Sequence, residues 1–173
     1  MAWNVTTPLT NAAITSAKLE QATLDLWAEY LGGYFSGTSH GLDGATTTFP
    51  LVGLSFQADK LPAQPTNGTV ISVVWDRPAV VKPRLQQGKR VSYIKARFTF
   101  YIRSAGQNTG DGGPKVAVKK ACDLLFALLS SKAETLPLAM KGIHHVRPQQ
   151  ASVQTMNELI ERRMSVNAVL VFE

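Results

Sequence analysis

Apolar residues recur along this chain at two spacings, and the switch between them separates helices from strands. From about Thr10 to Leu31, the residues Leu19, Ala22, Thr23, Leu26, Trp27 and Tyr30 fall three or four apart, which predicts one face of a helix. Pro8 precedes this stretch, and Gly32-Gly33 is expected to end it, since glycine favours the position just past a helix. Thr10, Asn11 and Ser16 could each cap its start. Glu20, Asp25 and Glu29 lie off the apolar stripe, so the helix has one dry side and one wet side. Residues 32–68 lose periodicity and gain glycine, threonine and proline. Thr48–Phe56 reads as a short strand entered through Pro50, and the rest reads as a long irregular arm or loop that orders against a neighbouring subunit.

Period two then takes over. Thr69–Trp75 is β-branched and aromatic, hence strand-forming. Gln86-Gln87-Gly88 supplies a turn. From Ile94 onward, Ile94, Ala96, Phe98, Phe100 and Ile102 face one way while Lys95, Arg97, Thr99, Tyr101 and Arg103 face the other. Pro78 and Pro83 cannot donate to a ladder, so the strand before the turn should lie on an edge or bend there. The expected result is a basic hairpin extending past the core it starts from. Gln107–Gly113 reads as a connector, and Pro114 suits the first turn of a second helix that runs to about Ser130. Val118, Ala121, Cys122, Leu124, Leu125, Leu128 and Leu129 form its dry stripe, while Lys115, Lys119 and Lys120 stay wet. A short strand at Gly142–Arg147 is stopped by Pro148, and a long alternating strand fills Leu159–Glu173, with Arg162 interrupting its apolar face. This order predicts a single α+β domain over 1–173. Its mainly antiparallel sheet carries two helices packed on one face and a protruding β-hairpin.

Composition narrows the function. The 173 residues have 45% hydrophobic and 17% charged content, which excludes wholesale disorder. One cysteine, Cys122, excludes a disulfide framework, and its place on an apolar stripe makes it a core residue. No apolar run approaches the ~20 residues of a membrane span, and no secretory leader is visible, so folding in a reducing cytoplasm is expected. The net charge is +6, and it is concentrated: Arg77, Lys82, Arg84, Lys89, Arg90, Lys95, Arg97 and Arg103 occur within one stretch that holds no acid. Interleaved with them are Trp75, Tyr93 and Tyr101, which suit a protein interface or stacking on single-stranded bases. No phosphate loop or nucleophile elbow is present. His144 and His145 are adjacent on a strand and point to opposite faces, so they are not expected to share a metal. Glu158 and Glu161 read as solvated acids. No catalytic set and no cofactor site can be assembled, although a small enzyme gathering His144 or His145 with distant acids stays open as a reading.

The layout from about Thr69 onward resembles the tail terminator, or tail completion, proteins of long-tailed bacteriophages. The points of likeness are the aromatic alternation Lys95–Ile102, the polar gap, the helix Val116–Leu129, the glycine-led Gly142–His144, and the closing strand Arg162–Phe172. The resemblance implies a non-enzymatic virion protein that forms a ring, usually a hexamer, which terminates the tail tube and offers a docking surface for head–tail joining. The implied partners are further copies of the chain, the tail tube protein and a head–tail connector or neck protein, with transient contact to genomic DNA and none to a membrane. Arg77, Lys82, Arg84, Lys89, Arg90, Tyr93, Lys95 and Arg97 are then the expected inter-subunit or DNA-lumen contacts. A nucleic-acid-binding module using the same hairpin is the alternative.

Overall fold

The structure, a computed structural model, describes residues 16–40, 47–56, 68–76, 82–86, 89–105, 113–149, 152–156 and 159–172. Helix α1 (Ser16–Phe35) leads into β1 (Ser36–His40), β2 (Thr47–Phe56), β3 (Gly68–Trp75), β4 (Lys82–Gln86) and β5 (Lys89–Ala105). Helices α2 (Gly113–Ser130) and α3 (Lys132–Met140) follow, then β6 (Ile143–Pro148), β7 (Ser152–Met156) and β8 (Leu159–Phe172). The strands form one sheet in the order β1-β2-β3-β5-β8-β6, with β4 added to β5 and β7 added to β8. All pairings are antiparallel except β2 with β3. The α+β class read from the sequence is therefore the observed one.

The alternation of β5 explains the sheet's two faces. Phe98 stands opposite Val166 on β8 and Trp75 on β3, and Phe100 stands opposite Met164 and Val73. These side chains are all buried. Trp27 of α1 meets Phe98 and Phe100 edge-on, with ring centroids 5.5 and 5.2 Å away. The α2 stripe of Val118, Ala121, Cys122, Leu125 and Leu128 belongs to the same core. Burying each large apolar side chain contributes roughly 1.5–3 kcal/mol, so this face holds the sheet and its helices together.

Several expectations change. Helix α1 continues through Gly32-Gly33 to Phe35, and positions before Ser16 lie outside the described residues. Tertiary contacts outweigh the glycines. The Tyr30 hydroxyl donates to the Glu134 carbonyl at 2.8 Å, and the Tyr34 hydroxyl donates to Glu134 Oε2 at 2.6 Å. Of the stretch 32–68 read mainly as an arm, Ser36–His40 and Thr47–Phe56 are sheet strands, the second agreeing with the strand expected at Thr48–Phe56. Trp75 faces the core, tilted against Phe98 at 5.5 Å, and so drops out of the interface aromatics. A third helix, α3, was not anticipated. The Ser131 hydroxyl caps it by accepting from the Glu134 N–H, and Leu138 buries against the core. Strand β7 was also unanticipated; it forms a hairpin with β8 in which Met156 pairs with Leu159.

Candidate functional site

The face of the sheet that carries Lys95, Arg97, Thr99, Tyr101 and Arg103 divides into a closed polar end and an open cationic end. At the closed end Arg103 pairs directly across with Glu161, and Tyr101 with Arg163. Glu161 Oε2 accepts from Arg103 Nε at 2.7 Å, and its Oε1 accepts from Arg163 Nε at 2.6 Å. Both guanidinium groups lie over the Tyr101 ring, 5.8 and 5.1 Å from its centroid. The Glu161 side chain is only 2% exposed, so the reading of it as a solvated acid is corrected. The cross-strand register explains the burial: it places the carboxylate between the guanidinium groups of Arg103 and Arg163, whose charge-assisted bonds take the place of water around it.

In the middle of this face Thr99 donates to Asp76 Oδ2 at 2.6 Å. Arg97 lies 3.8 Å from the same carboxylate oxygen and donates to Ser165 Oγ at 3.2 Å. Beyond it the face opens into a groove of about 560 Å³, lined by Lys95, Ala96, Arg97, His145, Arg147, Asn167, Ala168 and Val169. Ala96, Ala168 and Val169 give its lining an apolar part, Lys95, Arg97 and Arg147 a cationic one, and among the described residues no carboxylate lines it.

The expected contact residues are distributed as follows. Lys95 and Arg97 are exposed on this rim, and Tyr93 is half-buried. Lys82, Arg84 and Lys89 hold register positions in phase with Tyr93, and Arg90 is out of phase with them. The described pairing with β8 runs to Ser92 opposite Phe172, and among the described residues Lys89–Val91 is laddered only to β4. Among the described residues the hairpin therefore extends about three residues, or ~10 Å, beyond its register with β8. Pro83 sits in β4, which among the described residues pairs with β5 alone, an edge position that tolerates its missing N–H. Arg77 lies outside the described residues.

Sequence reasoning missed His145 and Arg147 as members of the cationic groove. They reach it because β6 carries a bulge: the register shifts between His144 and Arg147, and His145 adopts a left-handed φ of +52°. The bulge also corrects the simple alternation expected for the two histidines, whose rings lie 6.4 Å apart. Burial, and then the neighbouring His145, push the His144 imidazole below its ordinary range. Among the described residues no three His, Cys, Asp or Glu side chains gather as a metal site. Cys122 is buried, and burial pushes its thiol up against the opposing pull of Arg162.

No helix among the described residues is long and apolar enough to cross a membrane. No family model matches the chain, and no curated protein matches it either. A chain from a solved structure described as the virion of a native gene transfer agent particle is similar at a TM-score of 0.39 and 13% identity, over 95% of this chain and 99% of that one.

Proposed function

We propose that this chain is a structural subunit of a phage-like virion that closes into a ring, usually of six copies, and terminates a tail tube. The observation that carries the reading is the β4–β5 hairpin, whose Lys89–Val91 end, among the described residues, pairs with no strand but β4. Ring closure needs a heterologous contact, in which one patch of each copy meets a different patch of the next. A projecting basic arm supplies one such patch, and in this reading it meets an unlike surface of the next copy. The face opposite the helices offers a cationic surface past which a genome can travel, because attraction to phosphate is independent of sequence. In this reading the chain performs no catalysis and needs no cofactor. Its partners are its own copies, the tail tube protein and a neck or connector protein.

The test is the mass of the purified chain by light scattering, with electron microscopy of the same sample. A closed ring is expected, and Lys89→Glu with Arg90→Glu should shift it toward single chains. A monomer that persists at high concentration, with no ring in any image, would refute the proposal. The Lys95, Arg97 and Arg147 rim supports a second reading, a nucleic-acid-binding module. That reading requires a steeply salt-dependent electrophoretic shift and fails if none appears at low salt.

A further inference from the structure

Strand β6 ends the sheet, and among the described residues no strand pairs with its outer edge. Two cavities flank that edge. One is the cationic groove of about 560 Å³ on the polar face. The other, about 520 Å³, lies between α3 and β6 and is walled by Leu129, Thr135, Leu136 and Ala139, with Lys132 at its margin. His145 and Arg147 line both. Leu136 is 57% exposed although it faces this second cavity, which leaves an apolar wall open to water.

We propose that the β6 edge is a docking site for an extended segment of a partner protein in which acidic and apolar residues alternate. A strand added to this edge sends successive side chains to opposite faces of the sheet. One set would enter the cavity beside Leu136 and Ala139, where apolar side chains bury. The other would enter the groove rimmed by Lys95, Arg97 and Arg147, where carboxylates find cations; the acid beside this rim is Asp76, 3.8 Å from Arg97, and among the described residues Lys95 and Arg147 have no carboxylate in the groove lining. The charge of the rim selects acid, the wall of α3 selects apolar, and the strand between them fixes the spacing at two. Duplex DNA satisfies only the first of these, since it has no use for an apolar wall and no backbone that ladders onto a strand. The bulge at His145 and the missing N–H of Pro148 keep the ladder short, which guards the edge against pairing with other exposed strands. This inference concerns a surface other than the Lys89–Val91 end of the hairpin and holds whether or not the chain closes into a ring.

The probe is a short capped peptide alternating valine with glutamate, fluorescently labelled and titrated against the full chain. Saturable binding is expected, with slowed amide exchange at His144–Arg147. Arg97→Glu with Arg147→Glu, both exposed and therefore compatible with folding, should weaken binding by at least about tenfold. Leu136→Asp should weaken it separately. A peptide of the same composition with its glutamates in one block should bind poorly. Equal binding of the blocked peptide, or binding without protection of β6, would reduce the site to bare charge attraction and overturn the proposal. So would a duplex oligonucleotide that binds this face while the peptide does not.

Discussion

Replacing Glu161 with leucine tests the polar face most directly. The Glu161 and Arg103 side chains are 2% and 9% exposed, and the carboxylate is shared with Arg163, which is 38% exposed. Removing the acid leaves the Arg103 guanidinium buried without its carboxylate, a loss of about 3–5 kcal/mol. Arg163 can turn to water, so its share is at most about 1 kcal/mol. Against a total stability of about 5–15 kcal/mol, the single change removes a large fraction. For a domain of this length each kcal/mol moves the melting temperature by about 2–4 °C, so Glu161→Leu should melt roughly 6–20 °C lower. The partner variant Arg103→Met leaves Glu161 paired to Arg163 alone and should cost less. The double variant Arg103→Met/Glu161→Leu removes the buried pair together and should recover much of the loss, because apolar replacements of a buried pair are often neutral or better. Urea and thermal unfolding of the four proteins measure this. Glu161→Leu falling within about 0.5 kcal/mol of the parent, or a double variant no better than the worse single, would show that the cluster is wet and that the burial argument is wrong.

Three further outcomes are expected. Gly142 has a φ of +104°, and a Cβ placed there would lie 2.5 Å from the Val171 carbonyl oxygen, so Gly142→Ala should cost about 2–4 kcal/mol in urea unfolding. The same change should expose the bond from Val171 N–H to the Gly142 carbonyl, now 2.8 Å, to amide exchange. Burial, and then its bond to Glu134, push the Tyr34 phenol from 10.0 up to about 12, and Tyr30 is raised as well. The unfolded chain releases these protons near pH 10 and the folded chain holds them to higher pH, so stability should fall as pH rises from 10 to 12. Tyr34→Phe should flatten that decline in the urea midpoint. Cys122 should react with a disulfide reagent only on unfolding, since its thiol is buried and its ionisation suppressed; rapid labelling of the native chain would contradict its place in the core.

The parts of the fold legible in the sequence are those where one period runs long enough to outweigh local chance. Ile94–Ile102 and Met164–Leu170 alternate cleanly because both strands have one buried face, and the α2 stripe repeats because one side of that helix meets the sheet. Helix α3 is short, contains Pro137 and buries only Leu138, so its hold comes from Tyr30 and Tyr34 far away in sequence. Strand β1, Ser36–His40, has no apolar alternation and is defined by its pairing with β2. At the candidate site, Lys95 and Arg97 could be placed on a polar face from sequence, but His145 and Arg147 arrive there through a bulge that no pattern announces. Glu161 was legible as polar-face and illegible as buried, because its burial depends on Arg103, a partner set by register rather than by neighbourhood.

The last described strand to leave the ribosome is not the last in space. Strand β8 lies between β5 and the β6–β7 edge, and its pairing with β5 runs from Ser104–Ile160 to Ser92–Phe172. A nascent chain that has already made its hairpin and helices must therefore wait for β8 before the sheet can join up. Until then β5 presents a long unpaired flank, and such distant pairings form slowly. During that interval the like charges of Lys95, Arg97 and Arg103 on one face of the flank oppose its pairing with the same flank of a second unfinished copy.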